Sequence, residues 1–590
     1  MNSFLMKHTI PLLWIKKRLT ERQLLILSSM MIGLTAGMSA IILKMIVHFI
    51  HDALLNNSFS NFYLHLTFPL IGLLLTVFYV QRFHKGTLES GTAYLTYSIS
   101  RQSSLLAPLH MFAHVITSAI TIGFGGSSGL EASIATTGAA IGSNYSRTYH
   151  LTYKQRTLML SCGAAAGIAA VFDAPIAGFL FAIEVLLIDI SASAFVPLVI
   201  AAAMGALCSN IVFQEGILIS FKAQETFDFT NIPFYLIMAV LAGLLSVYHS
   251  RMFVKIDTAF DKIKKPYAKA IVGGIVLMGC IALFPPLFGE GYTSIAAISQ
   301  LHPEVLFNNS LLSSWKENEW LVLVFLAGIA FTKVIATAAT LGGGGSGGNF
   351  APSLMAGAFL GIFFSKLVNM TGIVNLPESN FTLVAMAGVM GGVMHAPLTA
   401  IFLIAEITNG YALMIPLMIV AAISYSIVKF LEPDSIDMKK LSKKGHEVVQ
   451  GRDKKILSFI NSSNIIETNF HIVHENSNFR ELISAIEKSS RNIFPVVSDT
   501  NDFVGVIYLD SVREIMFNDD LYDTTQIKEF MTTPPVVIDT SESMESIMKK
   551  FDETEAWNLP VLTNGKYVGF ISKSRIFNQY RNHLIETSVH

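Results

Sequence analysis

The chain is poor in charged residues. Asp, Glu, Lys and Arg make up 14% of its 590 residues, whereas an ordinary soluble domain carries about 25%. Apolar runs predominate between Arg22 and Leu431, and several of them reach the roughly 20 residues that a helix needs to span hydrocarbon. After Lys439 these runs stop and charge returns. The composition therefore predicts a polytopic membrane protein followed by a soluble C-terminal part.

Cysteine and the motifs of catalysis are also scarce. The three cysteines, Cys162, Cys208 and Cys280, stand in apolar context and are typical of small core residues rather than of a disulfide framework or a metal site. The stretch GGGGSGG (342–348) lacks the lysine that a phosphate-binding loop requires. We find no nucleophile–base set and no metal-ligand spacing, so we predict that the protein is not an enzyme, needs no metal or cofactor and has no nucleic-acid partner.

Basic residues flank both ends of the apolar region. Those before the first run are Lys7, Lys16, Lys17, Arg18 and Arg22, and those after the last are Lys439, Lys440, Lys443 and Lys444. Because basic residues favour the cytoplasmic side, we expect a multi-pass protein of the cell membrane with both termini in the cytoplasm. We assign residues 1–21 to a cytoplasmic segment, 22–445 to the transmembrane domain and 446–463 to a linker.

The transmembrane region contains an internal repeat. AAAGIAAVFDAPIAGFLFAIE (164–184) and AMAGVMGGVMHAPLTAIFLIAE (385–406) each combine a glycine-rich helix, an Ala-Pro pair and a glutamate nine residues after the proline. A glycine loop precedes each copy, GGSSGLEAS (125–133) and GGGGSGGNFAPS (342–353). We therefore expect two related halves, approximately 22–215 and 230–432.

The first glycine loop carries a carboxylate, Glu131, in a region that reads as membrane. Such a charge costs at least about 2.5–3.5 kcal/mol at the bilayer centre. Repeated halves of transporters often meet at a midplane site built from broken helices, whose N-termini bind anions without a formal cation. The loops therefore predict a small-anion site with few Lys or Arg nearby. Glycines inside AAAGIAA and AGVMGGV are better explained by close helix packing.

These motifs resemble the CLC family of chloride channels and chloride/proton exchangers. GNFAP (348–352) has the family's GxFxP pattern, and GLEAS (129–133) keeps the Gly and Glu of GxExP with Ser133 in place of proline. ESGTA (89–93) is a degenerate GSGIP, and FGEGYTSI (288–295) is also similar. The resemblance covers nearly all of residues 20–445. It implies two inverted halves of tilted, broken helices, and a homodimer with one pore per subunit.

The resemblance also implies an anion pathway gated by Glu131. As a carboxylate Glu131 would occupy an anion site and block the pore, and when protonated or displaced it would admit chloride. The residues expected to surround the anion are Ser90, Gly129, Leu130, Glu131, Gly348, Asn349, Phe350 and Ala351. We interpret Glu184 and Glu406 as structural residues paired with backbone or another helix, and His395 as a packed residue.

Two positions depart from the family pattern. Val185 stands where exchangers often have a second glutamate that passes protons from the inside, and valine cannot carry a proton. Asp437 stands at the inner gate, where the family usually has a tyrosine. An ionised Asp437 would repel chloride by about 4 kcal/mol at 4 Å with an effective dielectric constant of 20.

Three functions remain open on this basis. The first is a voltage- or pH-gated chloride channel with Glu131 as the gate, which Val185 favours. The second is a proton-coupled chloride or fluoride antiporter that lacks the usual internal glutamate. The third is a carrier or sensor of another small anion, supported by the eroded GSGIP motif and Asp437.

The soluble tail contains a second duplication. RNIFPVVSDTNDFVGVIYLDSV (491–512) matches AWNLPVLTNGKYVGFISKSRI (556–576), and the pattern resembles a pair of α/β CBS domains, which we place at 464–516 and 527–582. Some CBS pairs bind adenine nucleotides through an Asp, but Arg575 stands at that position here. We therefore favour a structural or dimerising role. Asp519, Asp520 and Asp523 are predicted to lie in a solvated linker between the copies.

Overall fold

The computed structural model describes residues 19–56, 62–89, 91–186, 192–212, 227–299, 303–308, 310–408, 410–443, 460 and 462–588. The chain divides into two compact units, Met1–Val448 and Val449–His590. Most of the predicted N-terminal segment and linker lie outside the described residues. The two units are described in turn.

The first unit is helical wherever the structure describes it. Its α-helices are α1 (Glu21–Asn56), α2 (Phe62–Phe83), α3 (Thr92–Arg101), α4 (His110–Gly123), α5 (Glu131–Thr148), α6 (Tyr153–Phe172), α7 (Pro175–Glu184), α8 (Ala192–Val212), α9 (Ile232–Asp261), α10 (Pro266–Leu283), α11 (Tyr292–Ser299), α12 (Glu319–Gly342), α13 (Phe350–Met370), α14 (Glu378–Met394), α15 (Pro397–Ile407), α16 (Met414–Leu431) and α17 (Ile436–Lys443). Within the described residues, nine candidate membrane spans are long and apolar enough to cross a bilayer. Helices α7 and α15 have 10 and 11 residues, too few to span hydrocarbon at 1.5 Å per residue. Their ends therefore lie within the unit.

The two halves repeat helix by helix, because α1–α8 are followed in the same order by α9–α16. The junctions between α6 and α7 and between α14 and α15 show the match in detail. Asp173 ends α6 and His395 ends α14, each in the left-handed conformation with φ of 53° and 54°. The next helix begins with proline in both halves, at Pro175 and Pro397. The predicted repeat of broken helices is confirmed.

Glycines allow the paired helices of each half to approach closely. A Cβ atom on Gly138 of α5 would lie 2.1 Å from the carbonyl oxygen of Gly163, and one on Gly357 of α13 would lie 2.6 Å from that of Ala385. These two glycines follow Gly129 and Gly348 by the same nine residues. The helices starting at the two glycine loops are therefore packed in the same way in both halves.

The second unit contains two three-stranded sheets of identical topology. The strands are β1 (Val473–His474), β2 (Ile493–Val497), β3 (Phe503–Tyr508), β4 (Ile538–Asp539), β5 (Asn558–Thr563) and β6 (Lys566–Ser572), in the orders β1-β2-β3 and β4-β5-β6. In each sheet the first pair is parallel and the second antiparallel. The helices are α18 (Phe479–Lys488), α19 (Leu509–Val512), α20 (Met544–Thr554) and α21 (Lys573–Ser588). The duplication predicted for the tail is present in its fold.

Each copy in the tail is extended by residues that precede the other copy. The backbone of Glu467, ahead of β1, exchanges two hydrogen bonds of 2.8 and 3.0 Å with Phe570 of β6. Thr532, ahead of β4, does the same with Val506 of β3, at 2.8 and 2.9 Å. The acidic stretch between the copies is exposed as predicted, but Asp523 is held by an ion pair with Arg480 at 2.5 Å.

Candidate functional site

The two glycine loops pair with each other at the centre of the membrane unit. The N–H of Gly129 donates to the carbonyl of Gly348 at 3.1 Å, and the N–H of Gly348 donates to the carbonyl of Gly129 at 2.9 Å. Such reciprocal bonds are what a two-fold relation between the halves produces. They also use up both N–H groups, so the expectation that these two glycines offer their N–H groups to an anion is wrong in this conformation.

Two helices begin beside this bridge, α5 at Glu131 and α13 at Phe350. Their N-cap residues, Leu130 and Asn349, make no side-chain cap hydrogen bond. The first N–H groups of a helix have no acceptor within the helix and carry partial positive charge. The backbone around Glu131, Phe350 and Ala351 is therefore suited to hold a negative group without a cation.

Glu131 occupies this place with its own carboxylate. The residue is 1% exposed, and its Oε1 accepts a hydrogen bond of 2.5 Å from the hydroxyl of Tyr292. Oε2 has no hydrogen-bond partner among the described residues. The side chain folds back over Gly129, where an added Cβ would lie 2.0 Å from Oε2. A buried carboxylate oxygen without a partner is costly, which marks this conformation as one that a proton or a movement would relieve.

Aromatic rings enclose the carboxylate. Phe350 is 2% exposed, and its ring lies 5.3 Å from that of Phe172 and 6.4 Å from that of Phe181. Phe172 also meets the ring of Tyr292 edge-on at 6.2 Å. These rings exclude water, and electrostatic interactions at Glu131 are correspondingly stronger than in water.

Two further charged residues lie near the start of α5, and sequence reasoning assigned a role to neither. The carboxylate of Glu290 accepts a hydrogen bond of 3.2 Å from the N–H of Leu130. Lys333 is 0% exposed, and its Nζ donates to Ser127 Oγ at 2.8 Å and to the Gly289 carbonyl at 3.1 Å. The expectation that few cations lie near the site therefore fails at Lys333. A lysine inside an apolar run was the signal that could have found it.

A cavity of about 520 Å³ reaches Glu131 from one side. Gly91, Thr92 and Phe350 line it, and so does Asp437, whose carboxylate accepts a hydrogen bond from the Thr92 hydroxyl. Lys440 and Lys443 of α17 contribute positive charge to the same wall. Ser90, predicted to bind the anion, lies outside the described residues. The cavity thus brings the predicted inner position, Asp437, into the same space as Glu131.

Comparison with known proteins identifies this arrangement. The family model described as "Voltage gated chloride channel" matches residues 71–429, and the CBS domain model matches residues 463–518 and 527–582. The chain belongs to the CLC family. Its members are transporters or channels rather than enzymes.

Several CLC proteins are similar to this chain along much of its length. "Chloride channel protein CLC-f" of Arabidopsis thaliana is 26% identical over 468 residues, which cover 70% of this chain and 58% of the relative. "Voltage-gated ClC-type chloride channel ClcB" of Escherichia coli O81 (strain ED1a) is 29% identical over 287 residues, covering 47% and 63%. This chain therefore spans less than two thirds of these relatives.

Solved CLC structures share the fold. A slow cyanobacterial Cl⁻/H⁺ antiporter superposes with a TM-score of 0.60 at 19% identity, over 72% of this chain and 98% of its own. A eukaryotic CLC transporter superposes with a TM-score of 0.59 at 18% identity, over 94% of this chain and 99% of its own. At these identities the likeness establishes the architecture alone.

The two conserved-looking glutamates of the CLC repeat cap one another's helices. Glu184, at the end of α7, accepts from the N–H groups of Leu398 and Thr399 at 3.0 and 2.7 Å, at the start of α15. Glu406 of α15 accepts in return from Ile176 and Ala177 of α7, at 2.9 and 2.8 Å. Their interpretation as structural residues is confirmed.

The remaining sequence predictions fall at the ends of helices. Val185 directly follows α7 and is half-buried, so no proton-carrying side chain stands there. His395 packs edge-on against Tyr425, with ring centroids 5.8 Å apart, as a packed residue would.

Proposed function

We propose that this CLC protein is a gated chloride channel in which Glu131 is the gate. The observation that carries the proposal is the position of the Glu131 carboxylate. It is buried where α5 and α13 begin, and it closes the inner end of the cavity. A negative group already fills the place that the helix ends make favourable for an anion.

The contacts of Glu131 explain how a gate there would work. As a carboxylate it competes with chloride for the same helix ends, and the Tyr292 hydroxyl holds it through a charge-assisted hydrogen bond, a type that contributes about 1.5–3 kcal/mol. Protonation removes the charge that the helix ends attract. Chloride then replaces one anion by another at the site, without leaving the helix ends unsatisfied.

Val185 supports a channel over an exchanger, because no ionisable side chain stands at that position to load protons from the inside. A proton-coupled antiporter of chloride or fluoride is the second candidate. Asp437 favours it, since an ionisable carboxylate lines the same cavity as Glu131 and could exchange protons there. A carrier or sensor for another small anion has no comparable observation in its favour.

The two candidates differ in a flux assay. Purified protein in liposomes is loaded with high chloride, and chloride efflux and external pH are followed together after the membrane potential is clamped. A channel releases chloride without proton movement, and Glu131→Gln releases it faster at neutral pH. An antiporter drives protons against their gradient, and Glu131→Gln abolishes this coupling. Efflux that is the same in wild type and Glu131→Gln would contradict the gate in both.

For the tail we propose a structural and dimerising role within a homodimer that has cytoplasmic termini. The reciprocal pairing of the two CBS copies through Glu467 and Thr532 supports a rigid unit. Arg575 places a positive charge where a ribose-binding carboxylate would be needed. Equilibrium dialysis of the full-length protein against ATP and AMP is expected to show no binding, and saturable binding would contradict this role.

A further inference from the structure

Glu290 and Tyr292 approach the start of α5 together, from outside the cavity lining. Glu290 contacts the N–H of Leu130 at 3.2 Å, and Tyr292 contacts Oε1 of Glu131 at 2.5 Å. Gly291 between them has φ of +97°, a conformation that other residues rarely adopt. This turn directs both side chains to adjacent residues of the same helix end.

Glu290 and Glu131 differ in their access to solvent. Glu131 is 1% exposed, whereas Glu290 retains some exposure. A proton that approaches away from the cavity therefore meets Glu290 before it reaches Glu131. The gate itself has no comparable access on that side.

Charges of both signs face Glu290 from the helices packed around it. These are Glu131 of α5, Lys44 of α1 and Lys333 of α12, with Tyr292 on its own segment. The lysines favour the ionised form of Glu290, and Glu131 favours the protonated one. Such an environment lets a carboxylate take up and release a proton, which a helix cap alone does not require.

We propose that Glu290 is a proton-transfer residue that delivers protons to Glu131 from the side away from the cavity. A proton from solution binds the Glu290 carboxylate and then passes to the oxygen of the Tyr292 hydroxyl. The hydroxyl's own proton moves at the same time to Oε1 of Glu131. Glu290 is again a carboxylate, Tyr292 is unchanged, and Glu131 is neutral and free to leave the anion site. This inference rests on the proposed gating role of Glu131.

The competing explanation is that Glu290 only caps the N–H of Leu130. Glu290→Gln separates the two, because an amide oxygen still accepts that hydrogen bond but the side chain cannot carry a proton. Glu290→Asp keeps a carboxylate and is the conservative variant. Glu378→Gln is the matched control, since Glu378 is a part-buried glutamate at the start of α14 that pairs with Lys366 at 3.1 Å, away from the site.

The experiment measures how fast chloride efflux from liposomes rises after rapid acidification of both sides from about pH 7.5 to about pH 4.5, a range that protonates carboxylates. We expect Glu290→Gln to slow this rise at least about tenfold, a modest part of the usual contribution of a general acid. Glu290→Asp is expected to recover most of the rate, and Glu378→Gln to match wild type. In a Glu131→Gln background, which needs no proton, adding Glu290→Gln is expected to leave the flux within about twofold.

Each contrary outcome identifies what has failed. An unchanged rate in folded Glu290→Gln, or an equal slowing in the Glu131→Gln background, would overturn the proton-transfer role and leave Glu290 as a cap. If Glu290→Gln does not fold, a Glu290→Asp protein without any acid response would overturn it as well. If Glu131→Gln itself conducts like wild type at neutral pH, the gate fails, and the transfer role fails with it.

Discussion

Gly129→Ala is expected to open the gate without altering any polar group. A Cβ at this position would lie 2.0 Å from Oε2 of Glu131 and 2.9 Å from Cβ of Ala351. Ordinary contacts between carbon and oxygen need more than about 3 Å, so the carboxylate must move by roughly 1 Å or more. Oε1 belongs to the same rigid group and moves with it, away from the Tyr292 hydroxyl at 2.5 Å.

The size of the effect follows from the bond that is lost. A hydrogen bond to a charged group contributes about 1.5–3 kcal/mol, and every 1.4 kcal/mol changes an equilibrium about tenfold. Gly129→Ala should therefore raise the population of the displaced Glu131 by about 10- to 100-fold. Chloride efflux from liposomes at neutral pH should rise by a similar factor until an open gate no longer limits it.

Gly348→Ala is the matched control, because Gly348 is the repeat partner of Gly129 in the same bridge. An added Cβ there would meet Cβ of Ala132 at 2.6 Å, so it imposes similar crowding without touching the Glu131 carboxylate. We expect it to lower stability but not to raise efflux. The reasoning would be refuted by an equal gain in Gly348→Ala, or by a further gain when Gly129→Ala is added to Glu131→Ala.

Three further predictions concern other parts of the chain. Glu184→Ala should lower the thermal midpoint of the detergent-solubilised protein more than Glu406→Ala, since the Glu184 carboxylate also accepts from the Thr399 hydroxyl at 2.7 Å and each such bond contributes about 1.5–3 kcal/mol; the reverse order would contradict the assignment. Asp437→Asn should lower the half-saturating chloride concentration at least about tenfold, because removing a charge worth about 4 kcal/mol of repulsion at 4 Å outweighs one retained hydrogen bond, and an unchanged value would show that Asp437 is neutral or turned away. In the tail, the Arg480 guanidinium lowers the pKa of the Asp523 carboxyl, so the pair stabilises the tail above the ordinary pKa of the carboxyl and this stabilisation is lost as the pH falls through the lowered pKa; Asp523→Asn should therefore unfold earlier than wild type at pH 7, and the difference should shrink below about pH 4.

Much of the architecture could be predicted because it depends on local pattern. Apolar runs specify spans, and matched spacings of glycine, proline and glutamate specify the repeat. The reciprocal capping by Glu184 and Glu406 also has a sequence signal, since each lies nine residues after a helix-starting proline. What each carboxylate contacts had no such signal, because its partners are 214 and 230 residues away.

The surroundings of Glu131 illustrate the same limit more sharply. Its position in a glycine loop predicted a helix end and an anion site, which the local backbone provides. Tyr292 and Glu290 lie about 160 residues further along the chain, and Lys333 reaches Ser127 across 206 residues. No periodicity or spacing relates these side chains, so their meeting could not be read from either segment.

The sequence by itself determined that this protein is a duplicated, membrane-embedded CLC chain with a CBS pair, because hydropathy and turn chemistry act over a few residues and repeat visibly. The tertiary structure alone decided which N–H groups stay available to an anion. Gly129 and Gly348 satisfy each other, and Glu290 takes the N–H of Leu130, leaving the helix end to Glu131. Each backbone N–H has one proton to donate, and only the folded chain settles which acceptor receives it.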